Sequence, residues 1–386
     1  MSDSPGGLPE EFTDLHALLH QARTFALADM PAHFDTVLSV GANGLWYFEW
    51  FEKAYGHVPR HIGVEAYTPR PPVLPDNVEW VEADVAGPEG VAAIGSGSVD
   101  LVFSGQNIEH LWPDQVEAFL IESNRVLRTG GWLVLDSPNR DITAAYRWSM
   151  SEHTIELTPD EAQVFLTLAG FEVKTVKGLW LCRKGGNLLD LGPKGTVEGT
   201  AEVVERMMLA STRPDDSFIW WVEARKVGDP DVPALGRAIR SVFAANWEER
   251  VNRIEPKDGV PVTLADGRSG VRMQKDQWGC IMLGPSMALR PGKYTFEMEV
   301  AWSGFEGADG AVAQMDVVAY DQVLEIVDLV AHSPGGRETV TCTVNLSELQ
   351  FAVHARLFST GPAQIEAPLA ITLSPDPYGS SANGGS

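Results

Sequence analysis

From Thr36 to Arg225 short apolar runs alternate with segments of helical period, and this alternation limits what the chain can fold into more than any other feature. Apolar runs of strand length flanked by helix-period stretches are the mark of a sheet built with crossover helices. The runs are Thr36–Val40, His61–Ala66, Val78–Glu82, Val99–Phe103, Gly131–Asp136, Phe171–Lys177 and Phe218–Arg225. Several are apolar throughout, as strands covered on both faces are. After Pro113 a helix is expected, with Val116, Phe119, Leu120, Val126 and Leu127 on one face and Gly130-Gly131 ending it. Thr158-Pro159-Asp160-Glu161 is a capping box with proline at the first helical position, opening a helix that stops at Gly170. A further helix from Glu11 to Leu27 precedes the first strand and is expected to pack over the site.

Near Gly228 the pattern changes. Asp229-Pro230-Asp231-Val232-Pro233 reads as a linker and Ala234 to Arg250 as a connecting helix. Beyond it the period is two. Tyr294, Phe296, Met298, Val300 and Trp302 alternate with Thr295, Glu297, Glu299 and Ala301, a half-buried antiparallel strand. Further runs at Ala313–Tyr320, Val323–Val330, Thr339–Val344, Ala352–Phe358 and Leu369–Leu373 point to an all-β jelly-roll or β-sandwich domain. The expected division is residues 1–228, a linker and helix over 229–252, the β domain over 253–375, and a disordered tail over 376–386.

Composition narrows the partners. With 386 residues and 44% hydrophobic content the chain is globular and long enough for two domains. Its formal net charge of −24 repels polyphosphate, and no basic patch offsets it, so nucleic acid is not an expected substrate. Cys182, Cys280 and Cys342 are odd in number and far apart, which suits a reducing compartment rather than a disulfide framework. Met1 to Glu11 lacks the basic and apolar regions of a signal peptide, and no apolar run has the length of a membrane span. A cytoplasmic protein is expected.

The strand Thr36–Val40 runs into Gly41-Ala42-Asn43-Gly44, a loop that lets backbone approach a nucleotide closely. Glu65 closes the second strand, 24 residues after Gly41, where an acid would accept ribose hydroxyls. Asp84 closes the third, followed by Val85, and Ser104-Gly105-Gln106-Asn107 closes the fourth. Taken together, VLSVGANG, GVEA, VEADV, VDLVFSGQNIEHLW and RVLRTGGWLVLDSPN resemble the class I S-adenosylmethionine-dependent methyltransferases over about the first 225 residues. The resemblance implies a Rossmann-like α/β fold, a seven-stranded sheet with helices on both faces, and S-adenosylmethionine as cofactor. It implies a cofactor surface of Gly41, Ala42, Asn43, Gly44, Glu65, Asp84, Val85, Ser104 and Gln106, with Gln106 near the methionine end. Two departures stand out. Ser39 occupies a place where the family often has an acid, and Asn43 and Leu45 replace later glycines, although asparagine tolerates positive φ.

Residues just after the fourth and fifth strands face the ligand groove of such a fold. If the segment after Gln106 turns as a helix, Gln106, Glu109 and His110 share a face. Carboxylate, imidazole and amide oxygen can hold Mg²⁺ or Mn²⁺ while leaving positions open for a substrate hydroxyl. The segment resembles the Glu-x-x-Glu-His element of metal-dependent O-methyltransferases, with Gln106 in place of the first Glu and His153 as a further ligand. The alternative is a metal-free site in which Glu109 and His110 orient a helix or touch substrate. For proton removal His110, His153 and Asp136 are the candidate bases. Trp112, Tyr146 and Trp148 are candidate walls of the acceptor site, against the alternative of packing.

Leu289-Arg290-Pro291-Gly292-Lys293-Tyr294 and Ala355-Arg356-Leu357-Phe358-Ser359 resemble parts of carbohydrate-binding jelly rolls. Trp278, Trp302 and Tyr320 are candidate sugar platforms, with two of the three expected in the core. The reading is O-methylation of a hydroxyl on a glycan or glycoside, in polysaccharide modification or capping, as the bacterial saccharide O-methyltransferases do. Two alternatives stay open. One is methylation of a small phenol, quinone or natural product, with homo-oligomerisation through the β domain; the other is a non-catalytic glycan-binding module.

Overall fold

The computed structural model describes residues 14–31, 33–87, 91–148, 150–192 and 197–376. The expected start of the first helix at Glu11 and the tail beyond residue 376 lie outside these residues. The described chain forms two compact units, residues 1–149 with 155–241, and residues 150–154 with 242–386. No described helix is long and apolar enough to cross a membrane.

The first unit opens with α1 (Leu15–Ala28), capped by Asp14, whose carboxylate accepts from the Ala17 N–H. Leu18, Leu19, Ala22 and Ala26 form its buried stripe. The sheet strands follow as β1 (Thr36–Val40), β2 (Arg60–Glu65), β3 (Val78–Glu82), β4 (Val99–Gly105), β5 (Leu127–Pro138), β6 (Phe171–Gly178) and β7 (Ile219–Lys226). Their spatial order is β3-β2-β1-β4-β5-β7-β6. The first five are parallel, and β7 runs antiparallel between β5 and β6. Every strand expected from the sequence is present, with ends shifted by a few residues.

Connections are α2 (Leu45–Tyr55), α3 (Pro113–Val126), α4 (Arg140–Ala145), α5 (Pro159–Leu168) and α6 (Val197–Ala210), with a short hairpin at Arg183–Lys184 and Asn187–Leu188. Because crossovers between parallel strands are right-handed, the reversal of direction at β1 and β4 sends α2 and α3 to opposite faces. Phe48, Phe51, Phe103 and Trp221 are buried in the cluster that α1 and α2 close over the sheet. Each such side chain contributes about 1.5–3 kcal/mol. One expectation is corrected. Gly130-Gly131 does not end α3; the helix stops at Val126, and β5 starts at once and carries Gly130 at φ 77°.

The connecting helix is α7 (Val232–Val251). After it come β8 (Val260–Thr263), β9 (Ser269–Met273), β10 (Trp278–Leu289), β11 (Gly292–Ser303), β12 (Gly310–Ala319), β13 (Gln322–Ala331), β14 (Gly335–Leu346), β15 (Gln350–Thr360), β16 (Gln364–Pro368) and β17 (Thr372–Ser374). They make two antiparallel sheets. One has the order β10-β15-β12-β13, with Glu255–Pro256 added beside β10; the other has β8-β9-β16-β11-β14, with β17 also on β11. Ile281, Met282, Phe296, Met298, Met315 and Cys342, drawn from both sheets, share one buried cluster. The aromatic expectation reverses here. Trp278 is 75% exposed and Tyr320 56%, while Trp302 is half-buried and donates its indole N–H to Ser333 O.

Candidate active site

The sheet reverses its winding between β1 and β4, and ligand grooves open at the carboxyl ends of strands at such a point. Gly41 leaves β1 at φ 74°, Asn43 stands at φ 38° and Gly44 at φ 99°. Asn43 therefore takes the left-handed conformation that its side chain was expected to tolerate. Ala42 is buried, and Gly44 opens α2.

Glu65 ties this loop to the end of β2. Its carboxylate accepts N–H groups from Asn43 at 3.1 Å, Tyr67 at 2.8 Å and Thr68 at 3.1 Å. The Thr68 hydroxyl adds a bond to the Asn43 side chain. Asp84 is exposed after β3 and accepts from the Ala86 N–H and the Gln115 amide, with Val85 buried beside it. Tyr67, left out of the sequence reading, follows Glu65 by two residues and is 85% exposed.

Ser39 points away from the loop. Its hydroxyl lies 2.8 Å from His61 Nε2, and both side chains are fully buried. Phe48 and Phe51 stand edge-on to the imidazole. Burial lowers the His61 pKa to about 3, so the ring is neutral. A serine suits that partner where an acid would be buried beside apolar rings.

The end of β4 differs most from the sequence reading. Gln106 has φ 56°, so it cannot begin a helix, and only Ile108–His110 make a single tight turn. The Gln106 amide donates to Asp136 Oδ1 at 2.8 Å, and its N–H donates to the Asp136 carbonyl. Gln106 is thus withdrawn from the face of Glu109 and His110. Glu109 is 1% exposed, whereas His110 is exposed.

Asp136 is fully buried, and its second oxygen accepts from Arg23 Nε at 2.9 Å. Both carboxylate oxygens are therefore engaged, one by α1 and one by the β4 turn. Burial works against the Arg23 charge, but Asp136, Tyr47 and Glu109 together more than offset it and the pKa is raised. Trp50 lies under the guanidinium at 5.4 Å, and Trp50 in turn donates to Thr24. Gly105 makes room for this pair. A Cβ there would stand 2.0 Å from Arg23 Nη2 and 2.7 Å from Asp136 Oδ2. Arg23 was not singled out from the sequence, and nothing in the pattern of α1 marks it.

The aromatic candidates separate. Trp112 is 4% exposed at the N-cap of α3. The Tyr146 hydroxyl faces the Leu189 carbonyl at 2.5 Å and that of Cys182 at 3.1 Å, and Trp148 is edge-on to Phe218. Each has a packing role. His153 falls in the short segment 150–154, grouped with the second unit, where Arg250 donates to its carbonyl. Two residues later the Ile155 N–H donates to the Glu109 carbonyl.

A seven-stranded sheet of order β3-β2-β1-β4-β5-β7-β6, with a glycine loop after β1 and an acid closing β2, defines a Rossmann-like α/β domain. Residues 38–135 of the first unit match the family described as methyltransferase domain. A probable S-adenosylmethionine-dependent methyltransferase of Mycolicibacterium smegmatis is 33% identical over 144 residues, 34% of this chain and 55% of that protein. A probable S-adenosylmethionine-dependent methyltransferase of Mycobacterium tuberculosis is 39% identical over 103 residues, 24% of this chain and 37% of the relative. The chain thus spans about half or less of these relatives' length. Among solved structures, an S-adenosylmethionine-dependent methyltransferase from Archaeoglobus fulgidus is 18% identical with a TM-score of 0.37, covering 56% of this chain and 97% of that one.

Proposed function

We propose that the protein is an S-adenosylmethionine-dependent O-methyltransferase acting on a hydroxyl of a glycan or glycoside. The cofactor lies along the carboxyl ends of β1, β2 and β3, where the left-handed Gly41–Gly44 loop admits it closely. Glu65 keeps acceptor capacity beyond its three N–H partners, enough for a ribose hydroxyl. Asp84 and the buried Val85 border the adenine, and Tyr67 offers it a ring face. Bound there, the cofactor supplies a methyl group on a sulfonium and leaves as S-adenosylhomocysteine.

The observation that carries O-methylation is the exposed His110 immediately after β4, beside the buried Glu109. An alcohol must lose its proton as its oxygen takes the methyl, and an imidazole can accept that proton near neutral pH. Asp136 serves this role less well, since both its oxygens already hold donors. Glu109 and His110 also form a carboxylate–imidazole donor pair for Mg²⁺ or Mn²⁺, with no part for Gln106. A metal there would lower the pKa of a bound hydroxyl.

The sugar assignment is supported by the second unit, whose Trp278 and Tyr320 are exposed rings of the kind that stack on pyranose faces. The test is a panel of mannosides, rhamnosides and phenols, followed by release of S-adenosylhomocysteine. Turnover of glycosides is expected, and turnover confined to phenols would overturn the acceptor class.

A further inference from the structure

In the second unit the sheet β10-β15-β12-β13 buries one face and opens the other. Leu357, Met315 and Leu329 lie in the core cluster, so the residues alternating with them along each strand face outward. Register sets these side by side. Phe358 lies opposite Gln314 and Gln314 opposite Asp328, with Arg356 opposite Asp316 in the next row. Trp278, on the outer strand β10, lies opposite Thr360, two residues along from Phe358. It is 75% exposed, and its indole rests on the Gly361 turn, where a Cβ would come within 2.6 Å of the ring. Asp328 is exposed, and Gln314, Arg356 and Phe358 are half-buried.

These groups set donors and acceptors beside aromatic rings. Arg356 spends Nε and Nη2 on Asp316, at 2.9 and 2.5 Å, and its guanidinium stands 5.2 Å from the Phe358 ring centre. That leaves Nη1 as a donor. Gln314 Nε2 donates to Asp328 Oδ1 at 2.7 Å, which leaves Gln314 Oε1 and Asp328 Oδ2 as acceptors. A hydroxyl both donates and accepts, so a ligand rich in hydroxyls can use all three, and its apolar ring faces match the aromatic side chains. Charged ligands match poorly. Asp316 neutralises Arg356, Asp328 and the net charge of −24 repel anions, and the remaining donor is cationic. From Trp278 to Asp328 the face crosses three strand spacings, about 14 Å, more than a single sugar ring occupies. We propose that this face binds an uncharged polysaccharide, stacked on Trp278 and Phe358 and hydrogen-bonded by Gln314, Asp328 and Arg356. The proposal rests on the glycan reading above and narrows it from any glycan to a neutral chain of several sugars.

The test is native electrophoresis of the full chain through gels containing dextran, mannan, glycogen or polygalacturonate. At least one of the three neutral polymers is expected to retard wild-type protein, and the anionic polygalacturonate is not. Trp278→Ala, a change at an exposed ring, should weaken retardation about tenfold or more at an unchanged melting temperature. Gln314→Ala should weaken it about fivefold, the size of one hydrogen bond. Tyr320→Ala is the control. That ring is also exposed, but it follows the end of β12 and its hydroxyl donates to Glu152, so the variant should bind as wild type does. No retardation by any neutral polymer, retardation by polygalacturonate, or equal loss in Trp278→Ala and Tyr320→Ala would overturn the assignment. A dimer seen by light scattering that Trp278→Ala dissociates gives the face to a second copy and overturns it as well. Retardation by a neutral polymer in a protein that methylates no glycoside keeps the binding face and removes the acceptor reading.

Discussion

Arg23 on α1 and Asp136 at the end of β5 are 113 residues apart in the chain and meet as an ion pair, Nε to Oδ2 at 2.9 Å. The aspartate is fully buried and the arginine side chain 11% exposed, so the pair is nearly dry. It fastens the N-terminal helix across the end of the sheet at the place where ligand is expected. The same aspartate holds the Gln106 turn, so one carboxylate sets the position of two elements of the groove.

Breaking that pair from one side should cost far more than an exposed salt bridge. Arg23→Met leaves Asp136 as a buried charge without its counter-ion, a change of about 3–5 kcal/mol. Denaturant unfolding measures it, and Arg23→Met with Asp136→Leu should recover part of the loss. A single variant costing less than about 1 kcal/mol would show that the pair does not hold α1.

Gly105→Ala tests the same contact through space rather than charge. The new Cβ would press on both members of the pair, so α1 must lift. We expect a loss of about 1–3 kcal/mol, typical of overpacking, together with faster amide exchange confined largely to α1. Unchanged exchange in α1 would rule out the steric link.

His61 should make the domain acid-sensitive. Burial lowers its folded pKa to about 3, against an ordinary histidine value of about 6.5 in the unfolded chain. The depressed value means that the unfolded state binds the extra proton. Stability from this site is therefore complete above about pH 6.5 and falls as pH drops toward 3. At pH 5 the loss is about 2 kcal/mol. His61→Gln should flatten the stability profile between pH 7 and about 5 relative to wild type. A profile equally steep in both proteins would refute the assignment.

His110→Ala should reduce turnover about 100-fold or more while the affinity for S-adenosylhomocysteine stays within about twofold. EDTA separates its two proposed roles. Activity abolished by chelation and restored by Mn²⁺ assigns Glu109 and His110 to a metal, and a rate indifferent to EDTA assigns His110 to proton transfer alone.

Much of the groove was legible because its features sit at strand ends, where local pattern and function coincide. The Gly41–Gly44 loop, Glu65 and Asp84 follow runs whose apolar continuity already required buried strands. The β strands from Gly292 to Thr360 were legible for a similar reason, since period-two alternation names the buried face residue by residue, whereas the short Gln364–Pro368 strand was not read. β8, β9 and β10 were not. Gly279, Gly284, Pro285 and Ser286 interrupt β10, and register shifts against β15 break its alternation, so no window of it carries a clean period. At Gly130-Gly131 the glycines were given to the preceding helix, although Gly130 turns within the strand that follows.

The sequence by itself determined the order of layers, the change from α/β to antiparallel β near residue 228, and the positions of the strand ends in the first sheet, because each is a local property of side-chain period. Only the tertiary structure decided which polar groups at the groove are committed to the fold and which remain for ligand. Gln106 and Asp136 read from sequence as free to act, yet each is held by a partner that a strand neighbour and a crossing helix bring from 30 to 113 residues away. The physical reason is that hydrogen-bond capacity is finite. A donor used to hold the scaffold is not available to a substrate, and that use depends on contacts no sequence window contains.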